Sequence, residues 1–222
     1  MLPKVIVFNA VSADGRIDWF PFDMYEYYGI AAEWNVDAAL MGSNTILMSG
    51  QEISKEDEPA FEPSDPDPAD TRPILAIVDS KGQIRSWHDI KKWPYIREAV
   101  AICSRSTPAE YLEYLDKRHI RHIIKGDDHV DLKAALEELN HRFAVKKIRV
   151  DSGGTLNGVM LRQGLVDEVH LLICPSLVGG MSSRSMFRAP DLTSPEGVIS
   201  LKLKSSKKLK GCIVWLQYDV VG

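Results

Sequence analysis

Apolar runs alternate with stretches of helical periodicity along almost the whole chain, a pattern typical of α/β proteins. The apolar runs predict strands at residues 5–10, 37–41, 73–78, 99–103, 119–124, 146–150 and 166–174. The stretches between them predict helices at residues 23–34, 108–118, 131–142 and 155–163, with Asp23 as an N-cap and Pro108 in the first helical position after Thr107. We therefore predict an α/β fold.

The last two predicted strands depart from this alternation. Residues 198–205 and 212–219 follow each other without a helix and are joined around Lys210 and Gly211, which predicts a hairpin. Because strands joined in this way are antiparallel, we expect a mixed, mostly parallel sheet with an antiparallel C-terminal edge.

Residues 52–70 lack both patterns. They carry eight acidic residues, four prolines and a single lysine. Such a segment buries too little apolar surface to offset the entropy of ordering it, so we predict a mobile surface loop with a solvated acidic face. There is no internal repeat and no second apolar region behind a linker, so residues 1–222 are predicted to form a single domain.

The charge balance argues against several classes of protein. Lys and Arg number 27 against 31 Asp and Glu, a net charge of −4, whereas broad nucleic-acid binding needs a basic excess. The longest apolar runs are too short to span a membrane, and the first residues resemble no leader peptide. Three widely spaced cysteines predict no disulfide framework. We expect a cytoplasmic protein that binds neither nucleic acid nor membrane.

The strongest candidate for chemistry is the strand-to-helix turn Val150-Asp-Ser-Gly-Gly-Thr-Leu-Asn-Gly158. Its two glycines let a ligand approach the backbone, and the free N–H groups of the new helix favour an anion such as a diphosphate. A side chain at Gly154 is expected to occupy that approach. Gly42-Ser-Asn-Thr45 is a second such turn, so a dinucleotide fits both, although the Rossmann spacing is absent. An ordinary structural turn is the alternative for the glycine pair.

Two further groups of side chains are weaker candidates. His119 and His122 lie three apart on a predicted strand, which puts them on opposite faces, and we expect no metal there. Cys174 is expected to be a small buried side chain rather than a nucleophile.

An aromatic cluster lies on the first predicted helix. For this cluster we favour core packing or a dimer contact, and stacking against a flat heteroaromatic substrate is the alternative. Its members are Tyr25, Tyr27, Tyr28 and Trp34.

Six segments resemble, in order, the motifs of the RibD C-terminal domain family, the reductase domain of bacterial and archaeal riboflavin-biosynthesis enzymes. Residues 12–17 (Ser-Ala-Asp-Gly-Arg-Ile) resemble S-x-D-G-[RK]-I, and residues 37–47 are similar to A-x-x-V-G-x-x-T-V-L. Ile77-Val-Asp-Ser80 resembles V-x-D-S, and residues 151–158 resemble E-G-G-[GP]-T-L-x-G. Leu165-Val-Asp-Glu-Val169 and Pro175-Ser-Leu-Val-Gly-Gly180 follow in the family order.

This resemblance implies the dihydrofolate-reductase-like fold, a three-layer α/β/α arrangement, with NADPH as hydride donor and commonly a homodimer. Carried over position by position, it places the cofactor at Val11 (through its backbone), Thr45, Ser80, Gly153, Gly154, Thr155, Leu156 and Asn157. The contact to the cofactor's 2′-phosphate is not located by these motifs. Candidates that follow predicted strand ends are Lys81, Ser104 and Arg105.

The resemblance also implies substrate contacts. Asp151 stands where the family has a Glu that meets the polar edge of the substrate's pyrimidine, and Asp is one methylene shorter. Asp14 is the acid of the S-x-D-G turn, either a substrate contact or a turn residue. No metal is implied.

Two departures from the family concern the substrate's phosphate. Glu33 lies where the family carries an Arg that meets the ribose phosphate, and its charge is expected to disfavour a phosphorylated substrate. After Leu47 the chain lacks the family's A-D-D-P-x-L-T-x-R run, which supplies a second Arg. Candidates to replace them are Arg16, Arg184 and Arg188, with solvated surface charge as the alternative.

We therefore expect an NADPH-dependent reductase of the riboflavin-biosynthesis type, acting on 5-amino-6-(5-phosphoribosylamino)uracil or its pyrimidine analogue to give the ribitylamino product. The departures leave two alternatives open. One is an NADPH-dependent reductase of another pterin, pyrimidine or small carbonyl substrate, and the other is a non-catalytic NADP(H)-binding protein.

Overall fold

The computed structural model describes residues 1–50, 52–63, 67, 69–181 and 184–221. The chain divides into two compact units. The first holds Met1–Pro3 and Val36–Ile148, and the second holds Lys4–Asn35 and Arg149–Gly222. The single domain expected for residues 1–222 therefore remains a prediction.

Strands and helices alternate along the described chain until the last two strands. In chain order the elements are β1 (Lys4–Ser12), α1 (Met24–Ala32), β2 (Ala38–Gly42), α2 (Ser43–Leu47), β3 (Ile74–Val78), α3 (Trp87–Ile90), β4 (Glu98–Cys103), α4 (Ala109–Lys117), β5 (Arg121–Ile124), α5 (Leu132–Phe143), β6 (Lys147–Val150), α6 (Gly154–Arg162), β7 (Glu168–Cys174), β8 (Ser200–Lys208) and β9 (Val214–Val221).

The first unit is built on parallel strands in the order β5, β4, β3, β2. Their apolar residues form a core with Trp87 of α3 and Tyr111 of α4. Trp87 Nε1 donates to the Tyr111 hydroxyl (2.9 Å), which donates to Asp79 Oδ2 (2.8 Å) at the end of β3. The same carboxylate accepts the backbone N–H groups of Gln83 and Ile84, so this buried charge is fully hydrogen-bonded.

The second unit combines parallel and antiparallel pairing. Strand β1 is parallel to β7, and β9 is antiparallel to both β7 and β8. After Lys4 every residue of β1 is buried, as expected for a strand covered on both faces. The Phe8 ring stacks on Tyr27 at 4.4 Å between centroids, within a core that includes Leu172 and Trp215.

The predicted α/β class, mostly parallel with an antiparallel C-terminal hairpin, is confirmed. Asp23 caps α1 as predicted, since its Oδ1 accepts from Tyr25 N (2.8 Å) and Glu26 N (3.3 Å). Pro108 is the N-cap of α4 rather than its first residue. The Thr107 hydroxyl serves a different turn, because it donates to the Ser80 carbonyl and accepts from Ser104 N.

Strand β5 begins two residues later than predicted. His119 precedes it with a left-handed backbone (φ 53°), and so it does not share a strand with His122. Helix α3 was not predicted, because its four residues are too few to show a helical period.

Most described residues of the acidic segment 52–70 are exposed, as predicted, but several contact the rest of the first unit. Glu56 forms two hydrogen bonds with Arg118 (both 2.6 Å), which lower the pKa of its carboxyl. Ser54 donates its N–H to Asp89 (3.0 Å), and Ala60 is buried. Cations elsewhere in the first unit therefore provide contacts that the composition of the segment alone does not reveal.

Candidate functional site

The predicted strand-to-helix turn forms in the second unit. Strand β6 ends at Val150, Asp151 and Ser152 are buried, and Gly153 is the N-cap of α6. Within the described residues no side chain caps this helix. Among the described residues a Cβ placed on Gly153 meets only Ile17 Cδ1, at 3.9 Å, so the space beside Gly153 is open. This turn therefore fits an anionic group such as a diphosphate.

Gly154 and Gly158 have a different reason to be glycine. A Cβ on Gly154 would overlap the Ser185 carbonyl oxygen, and one on Gly158 would overlap that of Arg188. Arg188 N also donates to the Gly154 carbonyl (3.0 Å). Both glycines let this later segment pack against α6, so the expectation that Gly154 keeps space free for a ligand is wrong.

Asn157 braces the same turn from inside. Its side chain is fully buried, and Nδ2 donates to Asn9 Oδ1 (2.8 Å) and to the Met186 carbonyl (2.9 Å). Asn9 in turn donates to the Ser152 carbonyl (2.9 Å). The side chain of Asn157 thus fixes the turn, while Thr155 is exposed and Leu156 half-buried at the helix start.

Asp151 is the buried carboxyl of the turn. Its Oδ1 lies 2.9 Å from the Tyr27 hydroxyl, and its Oδ2 lies 3.9 Å from Arg149 Nη2. Burial raises the pKa of Asp151, while the Arg149 charge and the hydroxyls of Tyr27 and Tyr28 oppose that rise. Within the described residues Oδ2 makes no hydrogen bond although it is fully buried, so it is an unsatisfied acceptor.

Arg149 and Tyr27 complete this buried group. Arg149 Nη1 donates to the Ala31 carbonyl near the end of α1 (3.2 Å). The Tyr27 hydroxyl is also 2.9 Å from the Phe8 carbonyl, and burial raises the pKa of Tyr27 well above its ordinary value. Sequence reasoning missed Arg149, although it precedes Asp151 by two residues and so lies on the same strand face.

Asp14 holds two loops together. Its carboxylate accepts from the Ser12 hydroxyl (2.6 Å), Val178 N (3.1 Å) and Gly179 N (2.7 Å). These bonds lower the pKa of Asp14 to about 2. Gly15 follows with φ 76°, a conformation that favours glycine. The turn interpretation of Asp14 is therefore supported, and its contact with substrate stays a prediction.

Of the charged side chains expected near a phosphate, two are paired with an acid and two are described by their exposure. Arg16 donates to the Gly180 carbonyl and lies 3.8 Å from Asp14, whereas Arg184 pairs with Asp18 at 3.0 Å. Glu33 is exposed at the C-cap of α1. Arg188 is exposed, beside the start of α6.

The remaining predicted cofactor positions are divided between the units. Val11 is buried in β1 of the second unit. Thr45 lies in α2 and Ser80 follows β3, both in the first unit. Of the 2′-phosphate candidates, which all lie in the first unit, Lys81 is exposed, Ser104 is buried and Arg105 pairs with Asp127.

The described residues contain no group of three His, Cys, Asp or Glu side chains that could hold a metal ion. Cys103 and Cys174 are buried, Cys212 is exposed, and all three are free. No helix of the described chain is long and apolar enough to cross a membrane.

Comparison with known proteins identifies the family. Residues 3–214 match the model of the RibD C-terminal domain. The chain is 29% identical to a Methanothermobacter thermautotrophicus protein named 2,5-diamino-6-ribosylamino-4(3H)-pyrimidinone 5′-phosphate reductase, over the full length of both.

Solved structures agree on the fold. RibD of Acinetobacter baumannii matches 99% of the chain with a TM-score of 0.75 and 19% identity, and the chain spans 58% of that protein's length. A pyrimidine reductase-like protein of Corynebacterium diphtheriae matches 99% of the chain and 92% of its own, with a TM-score of 0.75 and 17% identity. With nearly the whole chain matched by the family model, the protein belongs to the RibD C-terminal domain family.

Proposed function

We propose that the protein is an NADPH-dependent reductase that converts a phosphoribosylaminopyrimidine to its ribitylamino product. Family membership and the full-length similarity to a reductase of this kind support the reaction class. The observation that carries the proposal is the turn after β6, where a buried carboxyl and an open helix N-terminus lie two residues apart.

We propose that the cofactor binds at this turn, and the backbone donors of the turn support this placement. The backbone N–H groups of Gly153, Gly154, Thr155 and Leu156 would hold the diphosphate, as the open space beside Gly153 allows. When bound, NADPH supplies a hydride and is oxidised to NADP⁺. Val11, Thr45 and Ser80 remain proposed contacts, as does the preference for NADPH over NADH.

Asp151 is assigned to the substrate. A pyrimidine of this class presents N–H and amino donors, and Asp151 Oδ2 is a buried acceptor beside the turn. Arg149 offsets part of the cost of keeping that carboxyl buried and charged. This chain therefore contributes recognition and orientation of the pyrimidine at Asp151.

One observation favours a second candidate, a reductase of an unphosphorylated pyrimidine or pterin. The family's phosphate-binding Arg is replaced by Glu33, and Arg16 and Arg184 are already paired with Asp14 and Asp18. Exposed Arg188 is the remaining candidate for a phosphate contact. The phosphorylated substrate remains our first assignment because the relative of matching length is named for one.

Assembly and location follow from the family resemblance. We propose a homodimer, and the protein is expected in the cytoplasm. Analytical ultracentrifugation of the whole chain measures the first directly, because a dimer has twice the 24.9 kDa of the single chain.

The experiment that tests the function is a substrate panel at saturating NADPH. The phosphoribosylamino forms of the diaminopyrimidinone and of the aminouracil are compared with their dephosphorylated counterparts and with a pterin, and products are identified by mass spectrometry. We expect turnover of a phosphorylated pyrimidine. Turnover of the dephosphorylated compounds alone favours the second candidate, and no turnover with any of them contradicts both.

A further inference from the structure

The Tyr27 hydroxyl has two acceptors and one proton. It lies 2.9 Å from the Phe8 carbonyl oxygen and 2.9 Å from Asp151 Oδ1, inside the core of the second unit. A carbonyl only accepts hydrogen bonds, so a hydroxyl that donates to Phe8 has no proton left for Asp151. Both contacts are complete at once only when Asp151 carries a proton and donates it to Tyr27.

The ionised form of Asp151 requires the opposite arrangement. A carboxylate only accepts, so Tyr27 must then turn its proton from Phe8 to Oδ1. The burial of Tyr27, which is 4% exposed, and its stacking on Phe8 fix the ring, and this leaves the hydroxyl proton as the part that moves.

We propose that Tyr27 is a positioning residue for Asp151, and that its hydroxyl proton turns between the Phe8 carbonyl and Asp151 Oδ1 as Asp151 gains or loses a proton. A buried carboxyl then keeps a hydrogen-bonded partner in both protonation states. With Tyr27 as donor, Asp151 is an acceptor for the substrate's N–H groups, and this consequence rests on the proposed function.

The groups around Asp151 are consistent with a Tyr27 hydroxyl that changes its acceptor. Burial raises the pKa of Asp151, so both of its protonation states matter closer to neutral pH than for an exposed Asp. The groups that face it are Arg149 on β6 and the hydroxyls of Tyr27 and Tyr28 on α1. Tyr27 itself stays protonated while its hydroxyl proton turns, because the pKa of Tyr27 is raised further from neutrality.

The test compares Tyr27→Phe with Tyr25→Phe, a matched control on the same helix that is 93% exposed. The pKa of Asp151 is measured by ¹³C NMR on protein with labelled aspartate and no ligand, and Asp151→Asn identifies its resonance. We expect Tyr27→Phe to raise the pKa of Asp151 by about one unit, a tenfold stronger affinity for the proton. Both protonation states lose a hydrogen bond, but the charge-assisted bond lost by the carboxylate is the stronger one. Tyr25→Phe should leave it unchanged.

The kinetic readout follows in the same variants. Tyr27→Phe should move the acid limb of the pH profile for kcat/KM upwards by the same amount, mainly through KM for the pyrimidine. An unchanged pKa of Asp151 in folded Tyr27→Phe overturns the proposal and leaves Tyr27 as a packing residue.

A second variant and the activity of the unmutated protein distinguish failure of the role proposed for Tyr27 from failure of the proposed function. If Tyr27→Phe fails to fold, 3-fluorotyrosine at position 27 keeps the shape and is a stronger donor, so the pKa of Asp151 should fall, and no change overturns the proposal. If the unmutated protein turns over no pyrimidine, the proposed function fails, while the titration still decides the role of Tyr27.

Discussion

Asp14 and Gly179, 165 positions apart in the chain, are joined by a hydrogen bond of 2.7 Å from the glycine N–H to Asp14 Oδ2. The same carboxylate accepts from Val178 and Ser12, so a single side chain ties the turn after β1 to the glycine loop after β7. Both segments belong to the stretches that resemble the motifs of the family.

Replacing Asp14 by Ala should therefore loosen the glycine loop. We expect the amides of Val178 and Gly179 to exchange with solvent at least tenfold faster, because each loses its acceptor. Hydrogen exchange followed by mass spectrometry measures this, with Asp18→Ala as a control in the same surface region. Unchanged exchange at both amides contradicts the assignment.

Protection of the glycine-loop amides should be lost at low pH, as Asp14 is protonated. The pKa of Asp14 is lowered from 3.8 to about 2, so the carboxylate bonds are complete above pH 3.8 and are lost as the pH falls through about 2. Protection of the two amides should follow that course. Loss of protection already near pH 5 would show that another group controls the loop.

Substitution by Ala should affect cofactor binding at Gly153 and stability at Gly154. Gly153→Ala adds a methyl group to the open space before α6, so we expect about tenfold weaker NADPH binding with a stability change below about 1 kcal/mol. Gly154→Ala forces its Cβ into the Ser185 carbonyl and should cost about 1–3 kcal/mol of stability. Cofactor titration and thermal unfolding of both variants test these two predictions. An unchanged NADPH affinity in Gly153→Ala would show that the diphosphate does not bind at this turn.

Glu33→Arg should improve KM for a phosphorylated pyrimidine by about three- to tenfold, a modest effect because Glu33 is exposed and its charge is screened by solvent. The dephosphorylated analogue should show little change. Glu137→Arg makes the same change of charge on an exposed site of the first unit and serves as the control. Equal effects of both substitutions, or none from Glu33→Arg, would show that Glu33 does not face the phosphate.

Glu168 predicts an acid-sensitive component of stability in the second unit. Its carboxylate contacts Lys4, Lys204 and His170, and these bonds outweigh burial and lower its pKa from 4.5 to about 2. The contribution of Glu168 to the free energy of unfolding is therefore complete above pH 4.5 and is lost as the pH falls towards about 2. Glu168→Gln should cost about 1–3 kcal/mol in unfolding free energy at pH 7 and less at pH 3. Exposed Glu110→Gln is the control, and equal costs at both pH values would contradict the assignment.

Much of the fold could be predicted from local patterns. Asp23 caps α1 because a short acidic side chain precedes a helical period, and the hairpin at Lys210 and Gly211 follows from two apolar runs without a helix between them. The turn at Gly153 was found because a strand, two glycines and a helix follow each other directly. Each of these features depends on residues close together in sequence.

The contacts inside the site could not be predicted in this way. Tyr27 meets Asp151 across 124 positions, and Asn157 meets Asn9 across 148. No local period encodes such pairs, and the carbonyl of Ser185 that explains Gly154 lies in a segment without regular pattern. The motif identified the turn, whereas the packing around it required the tertiary structure.

Hydride transfer is tested with NADPH that carries deuterium at both hydrogens of nicotinamide C4. The label is followed into the phosphoribosylaminopyrimidine by mass spectrometry of the product. We expect a ribitylamino product that carries one deuterium on its sugar-derived C1′ and forms in step with NADP⁺. A product without label, or NADPH that binds and is never oxidised in the presence of any pyrimidine, would contradict it.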